Sequence, residues 1–292
     1  MRIVSLNVQN LRLMPGGALF GARNRDDHED PALDAADRCL TAQVLGRADA
    51  DIVALQEVFD QDSLDAFHDR VLTKATAPYP WRLCLPGNDG RGLDVAVMAR
   101  RPWDKAVSHA DLTSADLGVI PPEGMDPAQP VFRRDCLELH FGALTLFVVH
   151  FKAPTRDSEK SWAVRRLEAQ AVAQLAARAG PLWLVAGDFN EPFGDNRAVA
   201  PLEALGDNLM QRLPEADRWT FFHRATRRWD TPDGMIASHA LAEKLTDRRP
   251  EVLRIGLGLE CGPLAVARLP GTGVHRPHAS DHAAVVMDLG RI

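Results

Sequence analysis

Short apolar runs recur along this chain, and most of them end in an acid, an amide or a histidine. Runs of this length, bounded by turn residues, read as buried strands. Strands of that kind alternating with amphipathic helices restrict the chain to an α/β fold whose strand ends meet at shared edges. The run Leu182, Trp183, Leu184, Val185 is the pivot: Gly187 ends it, and Asp188, Asn190, Glu191 and Pro192 follow. Open α/β sheets bind ligands at the carboxyl ends of their strands. If the backbone stays extended, Asp188 and Asn190 project to one face. A carboxylate and a carboxamide there suit an oxygen-rich, metal-bound group, although Asp and Asn after a strand also make plain turns.

Taken in order, residues 2–8 form a strand carrying Asn7 near its end, and residues 10–32, rich in Gly, Asn, Asp and Pro, form a long loop. Leu33, Ala36, Leu40 and Val44 mark a helix, and residues 51–58 a second strand ending at Glu57. A helix follows the N-cap candidates between Asp60 and Ser63. Strands at 81–85 and 93–99 flank a Gly-rich turn, and 110–130 is a Pro-rich surface excursion. Residues 131–141 and 143–151 make a hairpin around Phe141-Gly142, and 157–179 is a helix with Ala163, Leu167, Ala171 and Leu175 on one face. Short strands at 219–222 and 234–238 precede a closing strand at 283–289. Composition shifts nowhere, so residues 1–292 read as a single domain, and the hairpins make its sheets mixed.

The formal net charge of -6 argues against non-specific binding of polyanions. A nucleic-acid or phospholipid substrate then needs a local basic patch or a metal ion. Cys39, Cys84, Cys136 and Cys261 show no paired spacing, which predicts free thiols in a reducing compartment. No apolar run reaches the ~20 residues of a membrane helix. The chain runs at once into a strand, so we expect no leader peptide and a cytoplasmic location.

Singly, the polar strand ends have bland explanations. Asn7 could end a strand, Glu57 could be solvated, and Asp233 sits in the turn-forming Pro232-Asp233-Gly234. His150, flanked by Val149 and Phe151, reads as a satisfied core histidine. Together they are what a shared polar site requires. Glu57 and Asp281 supply hard oxygens for Mg²⁺, with Mn²⁺ a second possibility. His282 acts on the attacking water or the phosphoryl group, its ring oriented by Asp233.

The strings Ser5-Leu6-Asn7, Leu55-Gln56-Glu57, Gly187-Asp188-Phe189-Asn190, Asp233-Gly234-Met235-Ile236 and Ser280-Asp281-His282 resemble, in order, the motifs of the endonuclease/exonuclease/phosphatase family. The resemblance runs from residue 3 to about 289 and implies a four-layer α/β sandwich, two packed mixed β-sheets flanked by helices. It implies Mg²⁺-dependent hydrolysis of a phosphate ester by in-line attack of water. Asn7 and Asn190 would hold the nucleophile or phosphate, with Asn7 also beside the metal bound by Glu57. Asp188 would orient or deprotonate the water, Asp281 would support the metal or His282, and the Asp233–His282 pair would stabilise the phosphoryl group. Either Asp188 or His282 takes the proton; the family leaves both open.

Departures narrow the substrate. Apurinic endonucleases of this family carry an Asn-x-Tyr after the middle strand, whereas this chain has His150-Phe151-Lys152, and its only tyrosine is Tyr79. A histidine there resembles the deoxyribonuclease and sphingomyelinase branches, where it contacts the scissile phosphate or aids the leaving group. Lys152 faces the same way if the strand continues. Asp230 is a rival for the role of Asp233. Arg91, in the Gly-rich turn, and Arg133 with Arg134 are candidates for contact with substrate anions. The arginine pairs at 100–101, 165–166, 227–228 and 248–249 read as solvated faces. A zinc site from His275, His278 and His282 is disfavoured by Pro277 and the lack of a fourth ligand nearby.

The expected activity is a metal-dependent phosphodiesterase, first a nuclease, on a phosphate-ester substrate and with no stable protein partner. A sphingomyelinase or phospholipid phosphodiesterase would use Leu11, Leu13, Met14, Leu19 and Phe20 as a docking loop. A phosphomonoesterase for inositol or nucleotide phosphates is a further alternative, and a non-catalytic binding module the remaining one.

Overall fold

The apolar runs pair into two six-stranded mixed sheets and one two-stranded hairpin among the described residues. The structure, a computed structural model, describes residues 1–24, 27–155, 157–191, 197–262 and 267–292. Pro192 and two positions of the 10–32 loop lie outside them.

The first sheet holds β1 (Arg2–Leu11), β2 (Ile52–Val58), β3 (Trp81–Cys84), β4 (Asp94–Ala99), β13 (Glu251–Leu253) and β14 (Ala284–Asp288), in the order β13-β14-β1-β2-β4-β3. The second holds β5 (Lys105–Ser108), β6 (Cys136–Phe141), β7 (Leu144–His150), β8 (Leu182–Asp188), β9 (Gly206–Asn208) and β12 (Asp233–Ser238), in the order β5-β6-β7-β8-β12-β9. Each sheet has a parallel pair at its centre, β1 with β2 and β7 with β8, flanked by antiparallel strands. Central strands bury both faces. Ile3, Ala54, Val97, Leu139, Leu146, Leu184 and Met235 pack between the sheets.

Helices close the outer faces. Leu40, Val44 and Leu45 of α1 (Pro31–Ala48) and Phe67 of α2 (Gln61–Arg70) pack on Val4, Leu6, Val53 and Met98. Leu167, Ala171 and Val172 of α4 (Ser158–Arg178) cover Phe147, Val149, Val185 and Ile236. Each such buried aliphatic contributes roughly 1.5–3 kcal/mol. Helices α1, α2 and α4 start at aspartate caps, Asp30, Asp60 and Asp157, that accept backbone N–H groups. Short α3 (Ser114–Leu117), α5 (Ala200–Glu203) and α6 (His239–Lys244) complete the helices, and β10 (Phe221–His223) with β11 (Arg228–Asp230) form the hairpin. The result is the four-layer α/β sandwich. No helix among the described residues is long and apolar enough to cross a membrane.

Three boundaries differ from the sequence reading, each for a local reason. Strand β1 continues to Leu11 because the buried Arg38 guanidinium binds the carbonyls of Val8 and Gln9, holding a left-handed turn at Gln9 and Asn10. Strand β6 begins at Cys136, which leaves Arg133 and Arg134 in the preceding segment. Strand β7 ends at His150, where Phe151 and Lys152 turn away. The edge strands β5, β9 and β13 were not expected.

Candidate active site

The parallel strands of both sheets end at one rim, and the polar strand ends meet there. From β1, Asn7 Nδ2 donates to Asp188 Oδ2 of β8 across the sheets, 3.1 Å away. From the loop before β14, His282 Nδ1 lies 2.8 Å from Asp233 Oδ2 of β12, and its Nε2 faces Asp188 Oδ2 at 4.0 Å. From β7, His150 Nε2 approaches the same oxygen at 3.5 Å. Ligand-type atoms of Asp188, Asp233 and His282 all lie within 4.8 Å of one another.

Local backbone chemistry fixes these positions. Gly187 lies so close to β7 that a Cβ would stand 2.0 Å from the Val149 carbonyl oxygen. The strand stops at Asp188 and Asn190 is left-handed, φ 49°, so the extended backbone expected there is absent. The Asp188 Oδ1 instead accepts the Asn190 N–H at 2.8 Å, and the Asn190 amide donates to the Phe151 carbonyl at 3.0 Å. Glu57 at φ 65° and the Gln9–Asn10 pair at 50° and 60° are also left-handed at this rim. Such residues cost ~1–3 kcal/mol each and persist where surrounding bonds hold them, commonly at functional sites. One of those bonds is Asn10 N–H to Glu57 Oε2, 3.1 Å.

Burial sets the electrostatics. Burial, then the charge of Asp233, push the Asp188 carboxyl up to about 7. Burial alone would lower the His282 imidazole, but Asp233, Asp188 and Asp281 outweigh it and raise it well above its usual value. His150, buried and next to Arg134, is held well below, so its ring is neutral. Asp281 is raised by burial, with the Glu57 charge adding to the shift. Asp233 Oδ1 is buried with no hydrogen-bond partner among the described residues.

Two recesses have His282 in their walls, and a third, smaller than either, reaches Asp233. The larger of the two, of about 750 Å³, is lined by Glu57, Asp281, Arg91, Asn10 and Phe59. The other, of about 260 Å³, is lined by Asn190, Pro154 and Phe221, whose ring stacks on His282 at 4.8 Å. Arg91 is gripped by the Asp89 carboxylate and still faces the larger recess. Asn7, His150 and Asp188 line neither of those two recesses: Asn7 and His150 contact Asp188, which in turn faces His282 in the shared wall. Arg133 and Lys152 are not brought to the cluster. They line a separate recess of about 440 Å³, because β7 ends before Lys152.

Of the rivals Asp230 and Asp233, it is Asp233 that meets His282, whereas Asp230 faces His223 at 3.5 Å. The three histidines of the zinc reading diverge: His275 meets Asp27, His278 meets Ala22 and Gln9, and His282 meets Asp233. Supporting residues escaped the sequence reading. Thr220 Oγ1 donates to Asp233 Oδ2 at 2.6 Å, and Gln9 Oε1 accepts the Asp281 N–H at 3.1 Å. Gln9 carried a signal, a second amide just beyond Asn7; Thr220 carried none.

A model of the Endonuclease/Exonuclease/phosphatase family matches residues 4–282. Among solved structures, an endonuclease/exonuclease/phosphatase family protein from Leptotrichia buccalis C-1013-b aligns over 100% of both chains, with TM-score 0.58 and 14% identity. D. rerio TDP2 complexed with single-strand DNA product aligns over 98% of this chain and 97% of that one, with TM-score 0.57 and 16% identity. SmcL aligns over 98% and 97%, with TM-score 0.57 and 17% identity. None of the curated proteins matches the sequence. Fold and site thus define a metal-dependent phosphoric ester hydrolase. The chain belongs to the endonuclease/exonuclease/phosphatase family.

Proposed function

We propose that residues 1–292 form one catalytic domain, a Mg²⁺-dependent phosphodiesterase of nuclease type in which a water attacks the phosphate in line. The carrying observation is that Asn7, Asp188, Asp233 and His282 meet across two sheets beside a recess walled by Glu57 and Asp281.

The donor set fits a hard cation. Glu57 and Asp281 face one recess, where burial first and the Glu57 charge second raise the Asp281 carboxyl. Carboxylate oxygens are what Mg²⁺ prefers, and Mn²⁺ shares the preference. When bound, the cation polarises the phosphoryl oxygens and offsets charge on the leaving oxygen.

The chain's own groups do the rest. Asp188, oriented by Asn7 and backed by neutral His150, takes the proton of the attacking water. His282, held by Asp233, donates from Nε2 to a phosphoryl oxygen. Asn190 lines the smaller recess beside the phosphate, and Arg91 approaches from the larger one. A site with this many acids tolerates the single charge of a diester better than the double charge of a monoester.

Two observations favour nucleic acid over lipid. Leu11 is fully buried, Leu19 packs on the core and Phe20 lies under the Arg23 guanidinium at 4.0 Å, so a membrane-docking loop is poorly served. The D. rerio TDP2 of similar fold carries a single-strand DNA product. The free thiols suit a reducing, cytoplasmic setting.

The test is hydrolysis of bis-p-nitrophenyl phosphate with Mg²⁺ by wild type, Asp188→Ala and His282→Ala. We expect both variants to lose turnover while keeping their circular dichroism. Turnover by both variants refutes the site. A panel of plasmid DNA, RNA, sphingomyelin and inositol phosphates then identifies the substrate.

A further inference from the structure

The recess that holds Arg133 and Lys152 has a role of its own. It measures about 440 Å³ and lies between the surface excursion at 122–129 and the first turns of α4, whose Lys160 is the third cation on its wall. The chain carries a net charge of -6, so three cations around one concavity stand out. Their side chains are not absorbed by carboxylates within hydrogen-bond reach among the described residues. The Arg133 guanidinium rests 3.7 Å from Met125 Sδ, and Lys152 and Lys160 are bonded through their backbone N–H groups. Among the described residues three acids are close, the first being Asp157, whose Oδ1 accepts the Lys160 N–H at 3.0 Å. Glu123 stands on the rim, and Glu168 is buried beneath with its two oxygens already taken by the backbone N–H groups of Arg133 and Lys152. Burial, then the Arg134 charge, pulls the Lys152 ammonium below its usual range, with the buried Glu168 opposing them and Arg133 adding to the lowering.

Position relates this recess to the active site. One stretch of chain, 150–155, serves both: His150 contacts Asp188, Pro154 lines the smaller catalytic recess, and Lys152 and Thr155 line the basic one. The stretch is held from both sides, with Asn190 on the Phe151 carbonyl and Arg165 on the Lys152 carbonyl. The two recesses therefore draw wall residues from the same short stretch of chain.

Resting on the phosphodiesterase reading, we propose that the Arg133–Lys152–Lys160 recess is a second phosphate subsite, taking a phosphate of a single-stranded nucleic acid next to the one hydrolysed. A substrate with several phosphates spans both recesses, and one with a single phosphate engages only the catalytic one. Charge-assisted bonds from Arg and Lys hold the oxyanion, and sequence plays no part.

The decisive variant is Lys160→Glu. Lys160 is exposed in the first turn of α4, where an acid also favours the helix, so the fold survives. Steady-state kinetics are compared on a thymidine hexanucleotide and on bis-p-nitrophenyl phosphate. We expect KM for the hexanucleotide to rise about tenfold with kcat within about twofold, and the single-phosphate substrate to be unaffected. The salt dependence of hexanucleotide binding, read by fluorescence anisotropy, should lose a slope of about 0.7. An unchanged KM and salt slope overturn the subsite. Inorganic phosphate that stimulates bis-p-nitrophenyl phosphate hydrolysis in wild type but not in Lys160→Glu would assign the recess to a separate ligand and overturn the strand. Binding to phosphatidylserine vesicles that depends on Lys160, with hexanucleotide binding intact, would overturn it in favour of a membrane. If wild type hydrolyses neither substrate the phosphodiesterase reading fails, and anisotropy still decides the subsite: hexanucleotide affinity that drops in Lys160→Glu supports it, and equal affinity overturns it.

Discussion

Acid should weaken this fold through its buried histidines, and the contribution of His278 can be worked out. His278 is 1% exposed behind the active-site rim, with Nε2 2.6 Å from the Ala22 carbonyl and 3.0 Å from Gln9 Oε1. Burial lowers its imidazole to about 3. In the unfolded chain a histidine titrates near 6.5. The folded value is the lower one, so the stability it contributes is full above pH 6.5 and is lost as pH falls from 6.5 towards 3. Between pH 7.5 and 5 that amounts to about 2 kcal/mol. With a urea m-value of about 3 kcal/mol/M, the midpoint falls by roughly 0.7 M from this source. Asp188 and Asp37 carry the opposite sign, because burial raises their carboxyls. The comparison is therefore between wild type and His278→Gln, in which both acids remain. Urea unfolding followed by circular dichroism at pH 7.5, 6 and 5 should give a steeper loss for wild type, by about 2 kcal/mol over the interval. Parallel pH profiles for the two proteins would refute the reasoning.

Three further outcomes follow from the site. Asp233→Asn removes the charge from the bond that orients His282; at about 1.5–3 kcal/mol for a charged hydrogen bond, kcat on bis-p-nitrophenyl phosphate should fall roughly ten- to hundredfold with an unchanged melting profile. Gly187→Ala drives a Cβ into the Val149 carbonyl, and calorimetry should show a destabilisation of about 3 kcal/mol or failure to fold; a wild-type melting temperature would count against the packing described. Dialysis against EDTA should abolish turnover and Mg²⁺ or Mn²⁺ restore it, with Glu57→Gln raising the Mg²⁺ needed for half-activity about tenfold or more. Equal Mg²⁺ requirements would remove Glu57 from the metal set.

What the chain discloses in advance depends on how many faces an element buries. Strands β1, β2, β7 and β8 are buried on both sides and read as mainly apolar runs. Strands β5, β9 and β13 lie at or near sheet edges, carry Lys105, Asp207 and Glu251, and leave no periodic trace. The catalytic candidates were legible because each flanks or interrupts an apolar run, Asn7, Glu57, His150 and Asp188 towards its carboxyl end and Asp233, Asp281 and His282 at or before its start. Arg133 was drawn towards the same rim by its place beside the His150 hairpin, and Lys152 by assuming that β7 continues. What stops it is invisible in one dimension. Glu168 takes the Lys152 N–H and Arg165 its carbonyl, and both are buried residues of α4. Sequence pattern assigns an Arg165-Arg166 pair to solvent, whereas Arg165 is 2% exposed and works as a structural clamp.

The proposed chemistry also depends on the sheets staying closed against each other. Asn7 and His282 belong to the first sheet and its approaches, Asp188 and Asp233 to the second, so both key hydrogen-bonded pairs are made between sheets. Burial is the largest cause of the raised Asp188 carboxyl, and that burial exists only while the inter-sheet core of Leu146, Leu184, Val97 and Ile3 holds the rim shut. Water admitted there would return Asp188 towards an ordinary carboxylate and loosen the imidazole it faces. The packed core is thus part of what would suit Asp188 to the proposed role of base near neutral pH. Motif residues presented on an open sheet edge would lack that property.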